Sequence, residues 1–356
     1  MMGSDFFYRD KIPVVILGAT GTVGQRFIEL LAVHPWFQIV AVAASERSVG
    51  RRYGEVVNWL MASAIPPEVA SLEVLRCEPG IPGSIAFSGL DSSVAGEVET
   101  KFAEAGYIVI SNSRNHRMDA DVPLLIPEVN PEHLELLKVQ KFGKGKIVTN
   151  PNCSVIGLTI GLKPLFDRFG IELVHAVTLQ AISGAGYPGV ASMDILDNVV
   201  PLIEGEEDKV ETEPLKILGT YQQDGEIKPA QIKISAQCNR VPVNDGHMAC
   251  VSVKLKTKPK PEEMIEAWRS FTSEAQTLGL PLAPKNPIHY FDEKNYPQPK
   301  IHRNLDKGMC VSIGRLQDCP ILDYKFSLLS HNTIRGAAGG AILCAELMVR
   351  KGYIFW

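Results

Sequence analysis

Over the first 150 residues, short apolar runs rich in β-formers alternate with stretches whose apolar residues recur at helical spacing. The runs fall at 13–17 (PVVIL), 38–44, 85–88 and 107–110. The first passes through G-A-T-G-T-V-G into QRFIELLAVHP, a helical pattern that Pro35 closes, and the second completes a strand-helix-strand unit. That succession predicts a doubly wound α/β domain with a parallel sheet.

The pattern changes after Asn150. A helical stretch, SVIGLTIGLKPLFDRFG, is followed by strand-like segments at 173–180, 231–236, 249–256 and 309–316, which predicts a mixed or antiparallel sheet. Between Pro281 and Asp306 proline and charge are dense, and an extended surface excursion is expected. From Asn332 a glycine-rich start leads into an apolar helix that is expected to rejoin the first domain. The predicted division is therefore 1–152 completed by 332–356, with a second, α+β domain over 153–331. A chain of 356 residues accommodates two such domains.

Composition narrows the function. With 45% hydrophobic and 21% charged residues the chain has enough apolar surface to bury. A net charge of -4 and the lack of a Lys/Arg run argue against a nucleic-acid partner and favour a small molecule. No apolar stretch approaches the ~20 residues of a membrane span. Residues 1–12 carry charges among aromatics and lack a signal core, so a cytoplasmic location is expected. Seven cysteines without a CxxC pair or a Cys/His cluster predict neither a disulfide framework nor a metal site. Most are expected to be buried, reduced thiols.

Three local patterns carry candidate chemistry. Gly18, Gly21 and Gly24, with Thr20, Thr22 and Val23 between them, form a strand-to-helix turn of the kind that lets backbone amides meet a pyrophosphate. The second strand ends in A-A-S-E-R-S, where Ser45, Arg47 and Ser48 suit a 2'-phosphate and predict NADP, while Glu46 leaves NAD open. In N-P-N-C-S a helical pattern begins directly after Cys153, a setting expected to stabilise a thiolate and lower the thiol pKa. R-V-P-V-N-D-G-H sets Arg240, able to hold a carboxylate, seven residues from His247, able to move protons. In G-E-E-D-K, Glu206 and Lys209 share a helix face, and spacing alone favours a solvated ion pair.

Taken in order, GATGTVG, SNSRNHRM, NPNCS, QAISGAGYPG, GEEDK, NRVPVNDGH and HNTIRGAAGGA run nearly from end to end. In these motifs the chain resembles the aspartate-β-semialdehyde dehydrogenase family, in its branch shared by archaea, fungi and some bacteria. The resemblance implies a Rossmann-type NADP-binding domain and an α+β catalytic and dimerisation domain with a mixed sheet. It implies NADPH-dependent reductive dephosphorylation of aspartyl phosphate through a thioester on Cys153. His247 is then the acid/base and Gln180 the glutamine beside the thiol. Arg240 matches the residue for the substrate carboxylate and Glu206 the one for its amine, with Arg117, Asn152 and Lys209 around phosphate. Ser183, Gly184, Ala185 and Gly186 match the loop near the nicotinamide, and Asn332 a further cofactor contact. A homodimer or a homotetramer is implied, with inorganic phosphate as co-substrate.

Two related reactions share the scaffold. Reduction of malonyl-CoA keeps the cysteine and histidine but has no amine to bind, and reduction of N-acetylglutamyl phosphate has an acylated one; Glu206 argues against both. A catalytically inactive nucleotide-sensing module is the alternative from another class, and it has no need of the thiol site.

Overall fold

The computed structural model describes residues 11–354, so the expectation for the N-terminal decapeptide and the last two residues of the terminal segment fall outside it. The described residues form two six-stranded sheets, each with its own core. In the first, β1 (Ile12–Leu17), β2 (Phe37–Ala44), β3 (Val74–Arg76), β4 (Ile85–Ser88), β5 (Ile108–Ser111) and β6 (Lys146–Thr149) are all parallel, in the order β3-β2-β1-β4-β5-β6. These strands are buried almost throughout, which is why they read as unbroken apolar runs. The order reverses between β1 and β4, beside the glycine turn that starts the helix Thr22–Leu31. Ligands of open α/β sheets bind at such a reversal.

The second sheet contains β7 (Ile171–Gln180), β10 (Lys233–Arg240), β11 (His247–Leu255), β12 (Ile288–Phe291), β13 (Val311–Asp318) and β14 (Tyr324–Ser330). A small hairpin, β8 (Thr220–Tyr221) with β9 (Ile227–Lys228), lies apart from it. The order is β10-β7-β11-β14-β13-β12, with β7 parallel to β10 and antiparallel to β11, so the sheet is mixed as expected. Its register decides where the motif residues end up. Arg240 stands opposite Gln180, and His247 begins β11 immediately before Met248, the partner of Leu179. Gln180 thus meets the distant Arg240 and His247 at one end of the sheet.

The surface excursion expected over 281–306 is only partly that. Ile288–Phe291 joins β13 as a parallel edge strand, and Pro299–His302 forms a helical turn. A four-residue edge strand flanked by prolines carries too short a pattern to stand out. β14, which no expected segment covered, pairs with both β11 and β13 and is central to the sheet.

The helix Cys153–Phe169 joins the two halves. Asn152 caps it, its Oδ1 accepting from the amides of Ser154 (2.9 Å) and Val155 (3.3 Å). The helix packs on the mixed sheet, and Trp268 Nε1 donates to Gly161 O at 2.9 Å from the neighbouring helix Pro261–Arg269. The terminal helix Gly339–Arg350 returns to the first core, where its apolar residues pack with those of β1 and the glycine-turn helix. Among the described residues no helix is long and apolar enough to cross a membrane.

Candidate active site between the two sheets

The glycine turn is shaped by close approach. A Cβ on Gly24 would lie 2.3 Å from Gly18 O, and Gly18 itself has φ +75°. The turn is tied to β2 by the amides of Gly18 and Ala19, which both donate to Ala43 O, two residues before Ser45. Tyr53 Oη donates to Ala19 O at 2.8 Å and Gln25 Nε2 to Thr20 O at 3.0 Å, fixing the turn from below. Ser45 and Arg47 are exposed and Ser48 half-buried beyond β2, while Glu46 pairs with Arg76 at 2.7 Å.

From the turn a cleft leads to the cysteine. Thr22, Val23, Ser183, Gly184, Gly186 and Asn332 line one cavity together with Cys153. Asn332 latches its far wall, donating through Nδ2 to Ser183 Oγ and accepting at Oδ1 from the Gly246 amide, both at 2.8 Å. Gly18, Gly21 and Gly24 pack within the turn and, like Ser45, Arg47 and Ser48, do not line this cavity, but its course from Thr22 and Val23 to Cys153 fits a cofactor with its reactive ring beside sulfur. A cavity of about 650 Å³ beside β2, lined by Lys11, Phe37 and Glu68 among others, contains none of the candidate site residues.

Cys153 Sγ lies 3.3 Å from His247 Nε2. On the other side of the ring Nδ1 accepts the amide N–H of Ala181 at 3.0 Å, so the neutral imidazole carries its proton on Nε2, facing sulfur. Burial, reinforced by the charges of Arg240 and His331, lowers the His247 pKa to about 3. Burial also pushes the Cys153 thiol up to about 12, and the Glu206 charge adds to it, while Arg117, Arg240 and Lys209 pull the other way. The lowered thiol pKa expected from the helix start is therefore overturned: loss of hydration outweighs the amides and three cations. The resting pair is neutral, and His247 meets sulfur as a donor rather than as a free base.

Around this pair the charged residues converge. Arg117, Asn152, Cys153, Gln180, Glu206, Lys209 and Arg240 share a cavity of about 350 Å³. Glu206 is buried, not a solvated partner of Lys209. It accepts from Lys209 Nζ at 2.7 Å, from Asn152 Nδ2 at 3.0 and 3.1 Å and from Gln180 Nε2 at 3.2 Å. Burial alone would raise its pKa, but the charge of Lys209 and these hydrogen bonds prevail and hold it below the usual carboxylate range. Gln180, expected beside the thiol, has its amide turned to Glu206 and to Thr178 Oγ1 (3.3 Å) within that cavity. Arg240 Nη1 donates to Ala181 O at 2.7 Å. A Cβ at Gly184 would sit 2.8 Å from that Nη1 and 3.0 Å from His247 Nε2, so a larger residue there would push on both side chains.

Two residues of the site went unnoticed in the sequence. Glu213, on the helix Glu206–Ile217, accepts from Arg117 Nη1 at 2.9 Å and from the Asn152 amide at 2.8 Å. Its signal was the spacing: seven residues after Glu206 it returns to the same helix face. Asn112 O accepts from Arg117 Nη2 at 2.7 Å, and its Oδ1 accepts from Asn150 Nδ2 at 2.9 Å. The seven cysteines are all free, but only Cys238, Cys310 and Cys344 are fully buried, and Cys250 is exposed, against the expectation of mostly buried thiols.

Comparison with known proteins agrees along the whole chain. Residues 13–137 match the family model for the semialdehyde dehydrogenase NAD binding domain, and residues 162–335 that for the semialdehyde dehydrogenase dimerisation domain. The aspartate-semialdehyde dehydrogenase of Cryptococcus neoformans is 49% identical over 361 residues, covering 97% of this chain and 99% of that protein. That of Archaeoglobus fulgidus is 48% identical, covering 97% and 100%. The crystal structure of the Candida albicans enzyme with NADP superposes with a TM-score of 0.89 at 44% identity, over 96% of this chain and 100% of that one. With relatives nearly half identical over almost the full length of both chains, and both domain models matched in order, the chain belongs to the aspartate-semialdehyde dehydrogenase family.

Proposed function

We propose that this protein is an NADPH-dependent aspartate-β-semialdehyde dehydrogenase that converts L-aspartyl 4-phosphate to L-aspartate 4-semialdehyde and inorganic phosphate. The observation that carries the reading is a thiol 3.3 Å from an imidazole, in one cavity with a buried arginine and a buried ionised carboxylate. Arg240 takes the substrate's α-carboxylate and Glu206 its α-ammonium. An acyl phosphate bound in that orientation directs its phosphate toward Arg117, Lys209 and the Asn152 side chain, whose charges and amide offset the leaving group.

Cys153 attacks the acyl carbon and its proton passes to the departing phosphate as the carbon–oxygen bond breaks, because no thiolate is stored beforehand. The residues that would hold NADPH are Gly18, Thr20, Gly21, Thr22, Val23 and Gly24 at the pyrophosphate and Ser45, Arg47 and Ser48 at the 2'-phosphate. Ser183, Gly184, Gly186 and Asn332 complete the set near the nicotinamide. NADPH supplies the hydride that reduces the Cys153 thioester. His247 Nε2–H then hydrogen-bonds the oxygen that gains charge, and as the carbon–sulfur bond breaks the ring relays a proton from solvent to sulfur. Gln180 steadies Glu206 within the substrate pocket.

In this reading the cofactor lobe comprises 1–152 and 332–356, and the catalytic and self-association lobe 153–331. A homodimer or homotetramer and a cytoplasmic location go with it. Purified protein should reduce NADP in the presence of aspartate semialdehyde and phosphate, and Cys153→Ser should lose that turnover while still binding NADP. Activity on malonyl-CoA with none on aspartate semialdehyde would overturn the substrate assignment.

A further inference from the structure

The helix that begins with Glu206 also carries Lys216, a buried lysine outside the substrate pocket. Its Nζ donates to three backbone carbonyls: Arg117 O at 2.8 Å, Asp119 O at 2.7 Å and Val122 O at 2.8 Å. Those bonds use all three protons of the ammonium group, which is what makes its burial tolerable. All three acceptors lie in one segment, 117–122, after β5, and that segment begins with Arg117. One turn earlier on the same helix, Glu213 holds the Arg117 guanidinium at 2.9 Å and the Asn152 amide at 2.8 Å. One helix thus grips the main chain around Arg117, its side chain and the residue before the nucleophile. Among the described residues Arg117 Nε has no partner, although it is buried.

We propose that Lys216 is a positioning residue for the phosphate group: by fixing segment 117–122 it aims Arg117 at the leaving phosphate without touching substrate itself. The inference rests on the reading of Arg117 as a phosphate anchor. Its selectivity follows from placement, since Arg240 stands on β10 and Glu206 in the first turn of the helix, neither of them held by the 117–122 carbonyls. Losing Lys216 should therefore weaken phosphate and spare the rest of the substrate.

The test is steady-state kinetics of the full-length protein in the phosphorylating direction, with inorganic phosphate, aspartate semialdehyde and NADP varied in turn. Lys216→Met should raise KM for phosphate at least tenfold while KM for semialdehyde and for NADP stay within twofold; Arg117→Leu should also raise the phosphate KM. If Arg117→Leu raises it and Lys216→Met does not, the role of Lys216 is overturned and the phosphate site stands. If Arg117→Leu leaves it unchanged, the phosphate reading itself is overturned, and this inference with it. Equal increases in all three constants for Lys216→Met would mark a merely structural lysine and also overturn it. Should Lys216→Met fail to fold, Lys216→Arg replaces it, keeping the charge but presenting a planar fork that does not match three converging carbonyls, with the same selective rise expected.

Discussion

Two buried arginine-glutamate pairs show how one chemistry serves two ends. Arg335, in the segment Ile334–Ala338, meets Glu128 through both terminal nitrogens, Nη1 to Oε1 at 2.7 Å and Nη2 to Oε2 at 2.6 Å, with side chains 1% and 0% exposed. Arg117 meets Glu213 through Nη1 alone, gives Nη2 to a backbone carbonyl, and lines the cavity that holds Cys153. The first pair lies wholly inside the protein and stitches the returning terminal segment to the first domain. The second turns its guanidinium to a cavity, as binding an anion requires. In both, the terminal nitrogens are engaged and Nε is not, so access to a cavity is what separates a stitch from a site.

The comparison can be broken at either pair. Arg335→Leu leaves Glu128 buried without its charge partner and should cost about 3–5 kcal/mol of stability, seen as a lower urea midpoint at unchanged slope. Arg117→Leu should cost less than half as much, because Glu213 keeps the Asn152 amide, yet raise the phosphate KM tenfold or more. A larger stability loss at Arg117 than at Arg335 would erase the distinction. The smallest effect concerns a third carboxylate. The Glu206 charge contributes to the high Cys153 pKa, so Glu206→Gln should speed alkylation of Cys153 by iodoacetamide a few-fold at pH 8. In the unchanged protein the alkylation rate should rise about tenfold per pH unit from pH 6 to 9 without a plateau, since the reactive thiolate is still scarce there. A plateau near pH 7 would show a stored thiolate.

The first sheet was legible because its strands are buried on both faces and read as apolar runs between helical patterns. The mixed sheet was only partly so. β12 is four residues long, at an edge, and β14 loses its alternation from Leu328 onward, where both sides become buried. The site residues could be found in order because each sits in a long local motif, but their meeting depends on register, and no local pattern announces that Arg240 faces Gln180. Glu213 and Lys216 fall in KVETEPLKI, which reads as a solvated helix until its spacing from Glu206 is counted. The thiol pKa differs for a similar reason: a helix start is visible in sequence, whereas the protein that packs around Cys153 is a property of the whole fold.

The return of the terminal helix has a consequence for how the protein is made. Ala338, Ile342, Leu343, Leu347 and Met348 fill the same core as Val14, Ile16, Phe27 and Phe87, yet they leave the ribosome roughly three hundred residues after the strands they cover. The first domain to emerge is the last whose core can close. During that interval the sheet waits with an apolar flank uncovered, a demand on chaperones that the catalytic half, contiguous in sequence, does not make.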